Sequence, residues 1–164
     1  VKIGRPISTA IATHAALKTG VHALALGARV YNSVAQAIPT STDTAVTFDS
    51  ERYDTDTIHE GVTNPSRLTC RTAGKYLIGI ALQLDNLIAN KHFCVILKLN
   101  GTTEICRRTR YNVGGEPPYL GMNAVYDLAV GDYVETVVHH DNGNDRNILA
   151  VEATSPEFWM NRIG

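Results

Sequence analysis

The segment Lys75–Leu84 (KYLIGIALQL) constrains this chain more than any other. Alternate residues of an extended strand point to opposite faces. One face here carries Tyr76, Ile78, Ile80, Leu82 and Leu84; the other carries Leu77, Gly79, Ala81 and Gln83. A strand that is apolar on both faces is covered on both sides. A lone sandwich with one wet face does not account for that, so the second apolar face predicts a subunit interface or a covering loop. We place the interface on Tyr76, Ile78, Ile80 and Leu82, together with Tyr133.

The same β grammar runs through the rest of the chain. Ala28–Ser33 alternates and reads as a first strand, and Ile38–Thr44 as a turn-rich link carrying Pro39. Thr44–Asp49 reads as a second strand with Thr44, Val46 and Phe48 on one face. Ser50–Pro65, dense in Asp, Thr and Asn, reads as a polar loop. Arg67–Cys70 restarts a strand ahead of a turn at Thr72-Ala73-Gly74. His92–Asn100 and Thr102–Tyr111 flank Asn100-Gly101, the strongest hairpin signal present. Asn112–Gly121 reads as a loop. Asn123–Leu128, Tyr133–His140, Asn147–Glu152 and Glu157–Ile163 complete the set. Short strands at regular spacing with turn signals between them predict an all-β sandwich or barrel.

Residues 1–26 differ in kind. They are rich in Ala, Thr, Ile and His and lack large core anchors. Ser8 is placed to cap a short helix over Ser8–Lys18, whose small apolar positions would bury little alone. The expected organisation is an arm or attachment segment over 1–26 and a single β domain over 27–164. The chain opens at Val with no compact apolar stretch ending in a small-residue cleavage site over Val1–Gly20. A processed chain, or a piece of a longer one, is expected.

Composition removes several function classes. At 164 residues the chain is long enough to bury a core without disulfide staples. Charge is balanced, with 15 Lys+Arg against 16 Asp+Glu, and no basic run forms a nucleic-acid footprint. No apolar run approaches the roughly 18 residues of a membrane span. The cysteines are Cys70, Cys94 and Cys106, three in number. An odd count closes no internal framework, and no pair has the CxxC spacing of a zinc or redox site.

Motifs for chemistry are sparse. No Gly-x-Ser-x-Gly elbow occurs, and Gly114-Gly115 runs into Glu116 and two prolines, which suits a turn rather than a phosphate loop. No apolar pocket is evident around the carboxylates, so an enzyme is not expected. His139 and His140 are adjacent and face opposite sides of a strand. The acidic clusters make a better metal pattern, with Asp54 and Asp56 in one loop and Asp141 and Asp145 in another, since calcium takes oxygen ligands from flexible loops. Neither has the spaced EF-hand register, so no cofactor is expected, with calcium the alternative. The segment Arg107–Tyr119 has the composition of a binding hot spot. There Arg107, Arg108, Arg110, Tyr111 and Tyr119 are the candidate ligand residues.

Four blocks carry a resemblance. Cys70-Arg-Thr-Ala-Gly-Lys-Tyr-Leu-Ile, the Lys98-Leu-Asn-Gly101 hairpin, Val125-Tyr-Asp-Leu-Ala-Val-Gly-Asp132-Tyr-Val-Glu and the terminal Ser155-Pro-Glu-Phe-Trp-Met-Asn-Arg-Ile-Gly164 stand in the order and spacing of the C1q/tumour-necrosis-factor jelly-roll family. Trp159-Met160 departs from the small residue often found there. Together the blocks resemble that family over Ala28–Gly164. The resemblance implies a jelly-roll β-sandwich that forms a homotrimer. Ala28-Arg-Val-Tyr, Phe48-Asp-Ser-Glu-Arg-Tyr-Asp-Thr-Asp and the arm Ala12-Thr-His-Ala-Ala-Leu-Lys-Thr-Gly-Val-His22 are similar to C1q-like domains of bacteriophage virion and fibre proteins. That likeness implies a capsid-decoration or fibre-tip role. The arm would dock to larger virion proteins and the loops would meet a host-surface glycan or protein. The alternative it leaves open is a secreted bacterial C1q-like carbohydrate- or protein-binding module.

Overall fold

The computed structural model describes residues 25–85, 87–114 and 117–164. The arm, its Ser8–Lys18 helix, His14 and His22 lie outside the described residues.

The strands in chain order are β1 (Gly27–Tyr31), β2 (Gln36–Ile38), β3 (Thr44–Ala45), β4 (Ser50–Asp54), β5 (His59–Glu60), β6 (Asn64–Thr69), β7 (Gly74–Gln83), β8 (Lys91–Leu99), β9 (Thr103–Asn112), β10 (Tyr119–Leu128), β11 (Tyr133–His140), β12 (Arg146–Ile148) and β13 (Glu157–Arg162). One sheet has five strands in the order β10-β7-β13-β1-β4. The other runs β5-β6-β11-β8-β9, with β3 added against β11, and β12 pairs β2 in a small ribbon. All pairings are antiparallel. Sequence neighbours are often not sheet neighbours: β1 pairs β13 and β7 pairs β13, so the last strand sits at the centre of the five-stranded sheet.

The long central strand explains why two sheets form. Tyr76, Ile78, Ile80 and Leu82 are all 0 % exposed and join Val30, Phe48, Phe93, Val95, Leu97, Phe158 and Met160 in one core between the sheets. Burying four such side chains is worth roughly 6–12 kcal/mol. The opposite face offers only Leu77, Gly79 and Ala81, so the larger set wins the interior. This corrects the interface expectation. Tyr76, Ile78, Ile80 and Leu82 fill the core of their own sandwich and cannot line a contact between subunits. Tyr133 is half-buried on the other sheet, under the Arg67 guanidinium at 4.0 Å from its ring centre, and shares no face with β7.

The polar stretch Ser50–Pro65 is not one loop. It supplies β4, β5 and the first residues of β6. An edge strand with both faces largely wet needs no apolar alternation, which is why Ser50–Asp54 hid its pairing with β1. Conversely, Thr44–Asp49 keeps only its first two residues in a ladder, although Val46 and Phe48 are fully buried as their spacing predicts. Asn100 and Gly101 both have positive φ, at 50° and 71°, the conformation a two-residue hairpin turn asks for.

The sandwich has two distinct ends. Leu26 accepts from Arg162 and Lys75 donates to Gly164, so the described chain enters and finishes at one end, beside the turns at 100–102 and 129–132. The far end carries Tyr31, Asn32 and Ser33, the loop at 141–145 and the return loop at 149–156.

Candidate functional site

The outward side of the five-stranded sheet is the most distinctive surface. Register places Tyr31 and Arg29 of β1, Glu157, Trp159 and Asn161 of β13, Leu77, Gly79 and Ala81 of β7, and Asn123 and Val125 of β10 on it. The Trp159 indole lies directly over Gly79: a Cβ there would stand 2.3 Å from Cζ2. Only a residue without a side chain lets the ring lie flat on the strand. Val125 and Tyr119 are 57 % and 45 % exposed, on a face that a lone sandwich keeps polar.

Glu157 stands in the middle of this face and is 1 % exposed. Its carboxylate accepts from Arg29 Nε at 2.7 Å and from Arg52 Nη2 at 2.8 Å and Nε at 3.1 Å. A buried carboxylate is costly unless it is paired in this way. Arg52 also lies over the Tyr31 ring at 3.9 Å. The hydrogen bond to Glu157, and then the charges of Glu157, Tyr31 and Glu152, raise the Arg52 guanidinium above its ordinary value.

Two concavities flank Glu157. One, of about 330 Å³, is walled by Tyr53, Tyr119 and Trp159, with Arg29 and Asn161 as its polar groups. The other, of about 300 Å³, lies between Tyr31-Asn32-Ser33, Arg52 and the return loop at Ala150, Val151 and Glu152. The loop is tied to itself by Val151 N–H to Ser155 O at 2.7 Å and Ser155 N–H to Val151 O at 3.0 Å. No sequence motif announces this arrangement, because its members come from β1, β4 and β13 and meet only through the strand order.

The five ligand residues expected on Arg107–Tyr119 do not form one patch. β9 runs through Asn112, so Arg107 to Tyr111 sit on a strand and alternate. Arg107 and Tyr111 lie on the outer side of the six-stranded sheet. There Arg107 pairs Glu104 at 2.6 Å and donates to Cys94 Sγ at 3.4 Å, and the Glu104 hydrogen bond raises the guanidinium further above its usual range. Tyr111 packs edge-on against His92 with ring centres 4.7 Å apart. Arg108 and Arg110 instead cross to the neighbouring sheet, donating to Gly121 O at 2.7 Å and Tyr119 O at 3.5 Å. They bridge the facing edge strands β9 and β10. Tyr119 alone reaches the outward face of the five-stranded sheet.

The acidic residues also disperse. Asp54 is a turn organiser: Oδ1 accepts from the amides of Asp56 and Ile58, and Oδ2 from that of His59. Asp141 takes the His92 amide at 2.6 Å and Asp145 the Thr40 amide at 3.3 Å. Among the described residues no three His, Cys, Asp or Glu side chains are grouped to hold a metal ion. The calcium expectation on Asp54, Asp56, Asp141 and Asp145 is therefore corrected: at least three of these carboxylates are spent on backbone amides. The cysteines are free thiols, with Cys70 and Cys94 buried and Cys106 partly exposed.

No protein-family model and no curated protein sequence matches the chain. Solved structures do. The globular domain of zebrafish complement 1qA aligns over 85 % of this chain and 98 % of its own, with TM-score 0.59 and 15 % identity. The fold is the C1q/tumour-necrosis-factor jelly roll. Eiger TNF from S. frugiperda aligns over 85 % and 93 % of the two chains, with TM-score 0.60 and 12 % identity. Murine APRIL at pH 5.0 aligns over 84 % and 98 %, with TM-score 0.63 and 11 % identity. At these identities the likeness is one of C1q/TNF-like architecture. In this chain the central placing of β13 brings Glu157 and Trp159 to the middle of one face.

Proposed function

We propose that this C1q/TNF-like domain is a non-enzymatic assembly and recognition module: a homotrimer on a bacteriophage virion, as capsid decoration or fibre tip. The segment before residue 27 docks it to larger virion proteins, and its far-end loops face the host surface. The observation that carries the assembly part is the outward face of the five-stranded sheet. Trp159 on Gly79, with Leu77, Val125, Tyr53 and Tyr119 around it, is an aromatic and aliphatic surface on a side expected to be wet, and such patches mark protein contacts. The fold class, whose likeness implies trimers, supports the same stoichiometry. Trimeric display turns weak single contacts into useful avidity. The virion role is supported by the likeness of residues 28–31, 48–56 and 12–22 to phage C1q-like proteins.

Sedimentation velocity on the purified chain tests the assembly: the expected species has the mass of three chains. Val125→Glu, at a position already 57 % exposed, is expected to shift it to one chain without loss of folding. A wild-type monomer at tens of micromolar would sink the trimer. Imaging of particles with a labelled antibody tests the location. A threefold knob on capsid or fibre is expected, whereas recovery of the protein only from culture supernatant would point to the secreted module.

A further inference from the structure

The concavity at the far end has the makings of a ligand site. Its wall contains Asn32, 7 % exposed, and Ser155 and Glu157, 3 % and 1 % exposed. Most of these buried polar groups are already committed. Ser155 Oγ donates to Leu149 O at 2.7 Å and accepts from Gln83 N–H at 2.8 Å. Glu157 is held by two arginines. Ser33 gives its amide and hydroxyl to Asp49. The Asn32 carboxamide differs: more than nine-tenths buried, it makes no side-chain hydrogen bond among the described residues, yet it lines the open space. Its amide meets solvent only through that opening. Such a group is free to exchange its water for a ligand.

The uncommitted groups define that occupant's chemistry. Asn32 offers both a donor and an acceptor. Arg52 spends Nε and Nη2 on Glu157 and keeps Nη1 for a ligand. Glu152 is exposed, makes no ion pair among the described residues, and offers only acceptors. Both signs of charge line the space, Arg52 against Glu152, while Glu157 is already held by Arg29 and Arg52. Val151 and Ala150 give one apolar flank. An anion would meet Glu152, and a cation would meet Arg52. A neutral molecule with adjacent hydroxyls answers donors and acceptors together. The volume, about 300 Å³, is at the lower end of small-molecule sites and suits a single ring.

We propose that the space between Asn32, Arg52 and Glu152 is a binding site for one ring of a neutral sugar. This deepens the host-surface reading and rests on it in one respect, that the far end faces outward. Adjacent hydroxyls of the sugar pair with the Asn32 carboxamide, Arg52 Nη1 and the Glu152 carboxylate, and its apolar flank meets Val151.

The test is nuclear magnetic resonance titration of the full assembled chain with a neutral methyl hexoside, the corresponding hexuronate and glycerol. Saturable shifts at the Asn32 side-chain amide and Arg52 Nε–H are expected with the hexoside. The hexuronate should bind about tenfold more weakly and glycerol should not saturate. Asn32→Asp, nearly isosteric, should weaken hexoside binding about tenfold, the loss of one hydrogen bond. Glu152→Gln, at an exposed position, should keep the hexoside and narrow the gap to the hexuronate even if the Asn32 variant proves unstable. Silent Asn32 and Arg52 signals, an equal response to glycerol, or a preference for the hexuronate overturns the proposal. Sedimentation of the same samples separates the two readings. A monomer that still saturates refutes the trimer alone, and a trimer with silent signals refutes the sugar site alone.

Discussion

Gly79→Ala isolates the contact on which the outward face is built. In a strand interior, alanine is normally the better residue by roughly 0.5–1 kcal/mol, because glycine loses more backbone freedom on folding. Here the added Cβ would stand 2.3 Å from Trp159 Cζ2, 2.5 Å from Cε2 and 2.8 Å from Nε1. No real Cβ tolerates such separations, so the indole must lift off β7 by more than half an ångström. Trp159 is flanked on β13 by the core residues Phe158 and Met160, which limits how far its backbone can yield. Overpacking of this kind costs about 1–3 kcal/mol and outweighs the entropic gain, so the net effect is destabilisation by about 0.5–2 kcal/mol. The chain has one tryptophan, which makes the readout clean. Emission should shift to the red as the ring becomes more hydrated, and the urea midpoint should fall with unchanged slope. Both are measured at fixed chain concentration, because assembly contributes to apparent stability. A variant that is more stable than wild type, with unchanged emission, would refute the reasoning and place the ring elsewhere.

Three further outcomes follow from the same structure. Glu157→Gln removes the charge that three guanidinium N–H groups share; about 1–3 kcal/mol of stability should be lost in a denaturant melt, with hydration of the half-exposed arginines keeping the loss below that of a fully buried pair. Asp43 is held below the usual carboxylate range, chiefly by its hydrogen bond from Lys98 and further by His139. A depressed folded value means a contribution present above about pH 4 and lost as pH falls through the folded value, so Asp43→Asn should be less stable than wild type at pH 6, by under about 1 kcal/mol, and equal to it near pH 2. Thiol labelling of the native protein should reach Cys106 well before Cys70 and Cys94, whose side chains are buried. Burial also pushes the Cys70 thiol up, and an early, quantitative reaction at Cys70 would contradict its placement.

The strands with strong alternation were legible from the residues alone. Tyr133–His140 carries the bounds the pattern predicts, and β7, β8, β9 and β13 lie within a residue or two of theirs, because each is a run of strand-forming residues bounded by turn signals such as Asn100-Gly101 between β8 and β9. β4 was not legible. Ser50–Asp54 is held by ladder bonds to β1 and by Arg52 reaching Glu157, interactions that leave no local trace. The ligand residues on β9 failed for a different reason: composition grouped Arg107, Arg108 and Arg110, but strand alternation and the gap between β9 and β10 send them to different places.

The sequence by itself determined that the chain is all-β and which residues are large and apolar enough to need an interior. Those are local properties of each strand, set by side-chain volume and a period of two. It also showed that Lys75–Leu84 has two apolar faces. Only the tertiary structure decided which face turns inward, since that depends on the partner sheet, whose strand β8 brings Phe93, Val95 and Leu97 into the same core. The tertiary structure likewise decided that Trp159, Arg29, Arg52 and Glu157 meet. Residues 29, 52 and 157 are far apart in the chain, and strand order alone brings them to one carboxylate.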